Sequence, residues 1–309
     1  MAVSSVSPPP AESTEGADLC GIDVTNTAIH GVMLLTCLCG LVGNGAVLWL
    51  LTLQGPVARI FDLAVADFIF LVFALPSALL FLLEDMSCSP IMHQRALFLL
   101  SLFSYNMGLY LLTAISIERC MSILCPRWYR CHHSQGQAWV VCALLWALSV
   151  TFIVTVTYLC LSHEPEHCQV SLISMYALNL FLFAPAMVIS SKILFFKVKC
   201  SPQQQQPKRL DIVVLLAVLF FLLFALPLSL LNFLQQLGYT GLGYTGVSSQ
   251  VFFLLACITS TIKPLIYFLV GRCWKPCSLG SLRLALQRVF EEQKDITPTN
   301  KDTTRDMEV

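Results

Sequence analysis

Charge is what this chain has least of. Asp, Glu, Lys and Arg make up 12% of its 309 residues, about half the ~25% share of a soluble domain. The 18 basic residues balance the 18 acidic ones. No basic excess is left to attract nucleic acid, which argues against that partner. The opening MAVSSVSPPPAESTEG has no apolar core, so no cleaved signal peptide is expected and the first apolar segment must serve as the targeting signal. No Asn-x-Ser/Thr sequon occurs, so N-glycosylation is not expected. Zinc-type Cys/His spacing is missing, and the adjacent His132 and His133 read as a loop pair. Neither a metal nor a cofactor is expected. The GxGD and GxSxG patterns are missing too, and the one HExxH match, His163 to His167, is interrupted by Pro165 in the short stretch between the fourth and fifth apolar segments, which argues against a membrane enzyme.

What fills the chain is apolar: 57% of residues are hydrophobic, with a mean hydropathy of +0.75. Seven apolar segments stand out, at 28–53, 60–83, 91–123, 138–160, 172–196, 210–234 and 247–270. Each reaches the ~20 residues that cross the hydrocarbon core. In lipid the backbone must satisfy itself, so all should be helices. The expected fold is an all-α membrane protein, a seven-transmembrane helix bundle. Residues 1–27 and 291–309 should be disordered flanks, and 271–290 a short amphipathic eighth helix with Leu279, Leu282, Leu286, Val289 and Phe290 on its apolar face. Cys273 and Cys277 lie where palmitoylation could reinforce that helix. The free apolar end Met307-Glu308-Val309 could add to the sheet edge of a PDZ protein.

Lys and Arg set the orientation. Arg127, Arg130, Lys197, Lys199, Lys208, Arg209 and the bases of the tail fall on one side. The other side has Arg95 but also Glu12, Glu15, Asp18, Asp23, Glu84, Asp85, Glu164 and Glu166. The positive-inside rule then puts the N-terminus outside and the C-terminus in the cytoplasm of a cell-membrane protein. The first inner loop is unusual: it is very short, and its base is Arg59.

Two ionisable residues lie well inside the spans, Asp67 in the second and Lys263 in the seventh. Each is about 10 Å from the inner end of its helix at ~1.5 Å per residue. A lone buried charge is costly, so the two are expected to pair. Four of the 14 cysteines face outward: Cys20, Cys88, Cys160 and Cys168. A bridge from Cys160 to Cys168 would tie two helix ends; Cys20 with Cys88 is a further pairing. Near the inner end of the third span, Glu118 and Arg119 precede the basic string CPRWYRCH. Arg119 could simply snorkel toward water, or it could act as a latch.

Several motifs decide between these readings: Gly43-Asn44, Leu63-Ala-Val-Ala-Asp67, Glu118-Arg119-Cys120, Trp146, Pro185, Pro227 and Lys263-Pro264-Leu-Ile-Tyr267. In this order they resemble the rhodopsin-like G protein-coupled receptors. CPRWYRCH, VCALLWALS, LALQRVF and YNMGLYLLTAISIERC look like the Mas and Mas-related receptor family, with the last closest to its Mas branch. The resemblance implies a receptor that transmits binding of an extracellular ligand to a heterotrimeric G protein, with arrestin as a further partner. By that pattern Glu118 restrains Arg119 at rest, Pro227 is the bend around which the sixth span moves, and Tyr267 swings inward. Pro126 to Tyr129 and the third inner loop would form the docking surface. Gln94 replaces the usual outer cysteine of the third span. The resemblance implies instead a bridge between spans four and five, which fits Cys160 with Cys168.

The departures carry their own expectations. The sixth span reads Phe224-Ala-Leu-Pro227, without the usual toggle tryptophan, and Gly108 stands where a serine often helps to bind sodium. Lys263 replaces an asparagine, so its ammonium would take the place of the sodium ion at Asp67. Ser101 stands where amine receptors have an aspartate, which argues against a monoamine. Phe98, Ser101, Tyr105, Asn232, Gln235, Gln236, Gln250 and Phe253 form a neutral, partly aromatic candidate pocket, although ordinary helix packing accounts for each of them as well. Val156 and Leu172 replace acids found in cation-sensing relatives, while Glu84, Asp85, Glu164 and Glu166 could meet a peptide at the rim. Three other functions compete with the receptor reading. A retinal protein needs its lysine about two turns farther out, near Cys257. A transporter needs more than one balanced intramembrane pair. A silent or ligand-independent relative would act through basal activity or partner receptors.

Overall fold

The structure is a computed structural model and describes residues 24–54, 58–87, 94–127, 129, 135–161, 165–200, 209–238, 249–272, 284 and 289. Seven long helices hold almost all of them: α1 (Val24–Gln54), α2 (Ala58–Ser87), α3 (Gln94–Leu124), α4 (Gln135–Leu161), α5, α6 (Arg209–Gln236) and α7 (Ser249–Arg272). Helix α5 is composite: Pro165–Leu178, a π-helical stretch Asn179–Phe183, then Ala184–Cys200. No strand occurs among the described residues, and all seven helices are long and apolar enough to cross a membrane.

Helix α3 is the axis of the bundle. Its apolar span is 67% buried, against 17% for α4, which lies at the periphery. The large exposed side chains, such as Val42, Tyr158 and Phe181, are apolar because the surrounding solvent would be lipid. Lipid gives no hydrophobic drive for helices to associate, so close packing and hydrogen bonds must hold them. The α1–α7 contact shows both. A Cβ on Gly43 would sit 2.9 Å from Pro264, so the missing side chain lets the helices touch. Asn44 donates to the Ser260 carbonyl at 3.1 Å, and the Thr261 hydroxyl to the Thr36 carbonyl at 3.0 Å.

Prolines punctuate α2 at Pro76, α6 at Pro227 and α7 at Pro264. In α5 the π stretch ends just before Pro185. Proline has no N–H and its ring crowds the carbonyl one turn back. Widening the preceding turn relieves that conflict.

Helix α1 opens at Val24 rather than at residue 28. It ends at Gln54 and α2 begins at Ala58; the first inner loop between them, 55–57, lies outside the described residues. So do Cys20, Cys88, Cys273, Cys277, residues 239–248 and the tail end. Of the amphipathic stretch, Leu284 and Val289 are described, both helical. Leu284 is exposed, and Val289 is buried with the larger apolar cluster. Below, the amino end of the bundle is the one where α1, α3, α5 and α7 begin; the carboxyl end is the opposite one.

Candidate functional site

The carboxyl end is built around Glu118 and Arg119. The Glu118 carboxylate accepts a hydrogen bond from the Tyr129 hydroxyl at 2.7 Å, and its other oxygen pairs with the Arg59 guanidinium. Arg59 also reaches toward the Ala114 carbonyl at 3.4 Å. A clasp therefore joins the start of α2, the end of α3 and the turn after it. The restraint of Arg119 by Glu118 expected from sequence is not made. Neighbours in a helix point about 100° apart and do not face each other. Arg119 is buried, and its Nε finds no partner among the described residues. Tyr129 was expected on the docking surface; it is buried, whereas Pro126 is exposed. Burial first, and then the Glu118 charge, push the Tyr129 phenol up, so it stays a proton donor. Tyr267 is buried in the larger apolar cluster and Pro227 is exposed on α6.

About two turns farther along α2 from Arg59, Lys263 Nζ lies 2.8 and 2.9 Å from the two Asp67 oxygens. Both side chains are at most 4% exposed. The acid and the base expected deep in the spans thus meet, and each gives the other the partner that lipid cannot.

A third polar group ties α3 to the π stretch of α5. The Tyr110 hydroxyl donates to Asn179 Oδ1 at 2.9 Å, and Asn179 Nδ2 donates to Asn106 Oδ1 at 2.8 Å. All three residues are fully buried. The amides sit on helical segments that present one side chain each to the seam, so neither amide could be placed there from sequence alone.

Toward the amino end, a cavity of about 40 Å³ opens between α3, α5, α6 and α7. Ser101, Ser104 and Tyr105 line it from α3, Tyr176 from α5, Ser229 from α6, and Thr259 and Lys263 from α7. The pocket expected from sequence is partly here. Ser101 and Tyr105 line the cavity; Asn232 is buried without lining it, and Gln235 is exposed. Phe253 lies elsewhere, edge-on to Phe70 with centroids 6.0 Å apart in the second apolar cluster. Aromatic residues near a helix start serve packing or ligand equally well, and the sequence does not say which way they turn. The α4–α5 junction at this end is closed by a disulfide between Cys160 and Cys168.

Sequence reasoning missed Arg59 as a site residue, and the signal was available. The depth rule that pairs Asp67 with Lys263 also pairs the base at the start of α2 with the acid near the end of α3. It also missed Tyr176, Ser229 and Thr259, which carry no charge or motif to mark them.

Comparison with known proteins agrees with this geometry. Residues 43–267 match the 7 transmembrane receptor (rhodopsin family). The chain is 35% identical to human Proto-oncogene Mas over 279 residues, covering 86% of this chain and 84% of that protein. It is 34% identical to rat Mas-related G-protein coupled receptor member D over 293 residues, with 88% of each covered. Against mouse Mas-related G-protein coupled receptor member A8 the identity is 31% over 291 residues, covering 90% of this chain and 94% of that one.

Proposed function

The chain belongs to the rhodopsin family of seven-transmembrane receptors, as a G protein-coupled receptor of the Mas-related type, and we propose how its parts divide the work. It is a membrane-embedded receptor and not an enzyme. The amino end faces the extracellular side, as the charge asymmetry of the loops suggests, and the carboxyl end faces the cytoplasm. An epitope at the N-terminus that stains only permeabilised cells would reverse that orientation. A ligand enters from the amino end, with a peptide as the leading class, and is read by Ser101, Tyr105 and their neighbours around the cavity. Helix α6 then moves about Pro227, Tyr267 shifts inward, and Arg119 receives the C-terminal helix of a G protein α-subunit. Asp67 and Lys263 hold each other in place of a sodium ion. Arrestin shares the opened face. Cys273 and Cys277 carry lipid, and the C-terminal valine is offered to PDZ proteins.

The observation that carries this reading is the clasp of Arg59, Glu118 and Tyr129 beside a buried Arg119. It closes three elements over the one residue the family uses to grip its G protein. Opening it needs no covalent chemistry, only exchange of hydrogen-bond partners.

The test is surface display with basal calcium and cyclic AMP output in transfected cells, beside Arg119→Ala. Basal signal in the wild type that disappears in a normally displayed Arg119→Ala supports the reading. A basal signal unchanged in that variant removes Arg119 from the coupling path. If the wild type is silent, ligand-evoked output in the same pair of cell lines decides.

A further inference from the structure

We propose that the cavity between α3, α6 and α7 is a carboxylate-recognition site, in which the Lys263 ammonium and the hydroxyls of Tyr105 and Ser229 grip an acidic tip of the ligand. The site deepens the receptor reading and rests on it for its biological meaning.

Charge gives the first reason. Lys263 is the one charged residue among those that line the cavity, and Asp67 does not line it. Asp67 is bound to the same Nζ through both oxygens, at 2.8 and 2.9 Å. The ion pair therefore presents its positive end to the cavity. An ammonium ligand would meet a like charge there with no acid to answer it.

Unmatched donors give the second reason. Lys263 has three N–H groups, and its two hydrogen bonds go to Asp67. Tyr105 Oη and Ser229 Oγ are buried and near enough to interact with each other, and neither makes a well-formed hydrogen bond to any described residue. Buried polar atoms are rarely left so, and a native occupant or water is the usual answer. Of the other lining hydroxyls, Ser104 is engaged with Ser260, and Thr259 with the Leu255 carbonyl. The three open donors thus converge on a common space, and a carboxylate offers two oxygens with lone pairs for all of them.

Size sets the limit. About 40 Å³ holds roughly three waters at ~10–15 Å³ each, which suits a carboxylate and not a whole ligand. The body of the ligand must lie toward the amino end. A carboxylate that draws on Lys263 competes with Asp67 for it, so binding would loosen the tie between α2 and α7. A small organic acid and the free C-terminus of a peptide share this chemistry.

The experiment uses purified full-length receptor in detergent and follows thermal unfolding with 4-phenylbutyrate, 4-phenylbutyramide or 4-phenylbutylamine. N-acetyl-diphenylalanine as free acid and as amide forms the peptide arm. The acid should raise the melting temperature by roughly 3–6 °C at about tenfold excess over its dissociation constant, and the amide and amine should not. A response to the dipeptide acid alone assigns the site to peptide ends, and a response to phenylbutyrate as well assigns it to acids generally. Tyr105→Phe and Ser229→Ala keep both charges and should each weaken half-saturation about 2–10-fold. Asp67→Asn/Lys263→Gln should abolish the shift; if it fails to fold, the two hydroxyl variants decide. Stabilisation by the amine as large as by the acid, a shift undiminished in the variants, or no shift with any acid would overturn the proposal. Basal signalling beside Arg119→Ala, measured separately, reports on the receptor reading. An acid-dependent shift in a chain that never signals leaves the site standing and sinks that reading.

Discussion

Removing one partner of the Asp67–Lys263 pair should cost far more than removing both. The two side chains are 4% and 3% exposed, and their contacts are 2.8 and 2.9 Å. Asp67→Asn leaves a buried ammonium without its counter-charge, and Lys263→Gln leaves a buried carboxylate. Breaking a buried pair in this way costs about 3–5 kcal/mol, whereas replacing both partners is often neutral or stabilising. At ~2–4 °C per kcal/mol, each single variant should melt roughly 6–20 °C below the wild type. The sum of the singles would be about 6–10 kcal/mol, so a double variant near the wild type implies a coupling of that size. The assay is thermal unfolding of the four proteins in detergent, with surface display in cells as a second readout. The exchange Asp67→Lys/Lys263→Asp asks whether polarity matters and should recover part of what the singles lose. Single variants as stable as the wild type, or a double variant whose loss equals the sum of its parts, would refute the pairing as a source of stability. Either result would mean that each charge reaches water or backbone without the other.

Other expectations follow from the same geometry. Arg59→Ala should raise basal G-protein output, because a charge-assisted bond of ~1.5–3 kcal/mol no longer holds Glu118; Tyr129→Phe should do so less. Second-messenger output lower than wild type at equal display would show that the clasp is not a resting-state restraint. Agonist affinity should not change between sodium-free buffer and buffer with sodium, since Lys263 occupies the carboxylate; a radioligand assay that finds sodium-dependent affinity contradicts this. Loss of the Cys160–Cys168 bridge, with a sequence separation of 8, should cost about 2.5 kcal/mol by loop entropy, read as a lower melting temperature of Cys160→Ser/Cys168→Ser. Asn179→Leu strands the Tyr110 hydroxyl and the Asn106 amide and should cost about 1–3 kcal/mol per stranded group. Equal stability of variant and wild type by unfolding would show that these groups find water instead.

The seven spans were legible because lipid imposes a simple rule on sequence: a long run without charge has to be a helix. Ordered motifs then carried the family, and depth along each helix brought Asp67 to Lys263. These properties are local or one-dimensional. The rotation of each helix about its axis is neither, and the sequence left it open. Rotation sends Glu118 to Arg59 and Tyr129 rather than to its neighbour Arg119. It buries Phe253 against Phe70 and leaves Gln235 outside the cavity. It also gathers Asn106, Tyr110 and Asn179 into one seam from helices some 70 residues apart in the chain (separations of 69 and 73). Such choices depend on which faces of several helices fit together at once, a property of the packed bundle that no single segment holds.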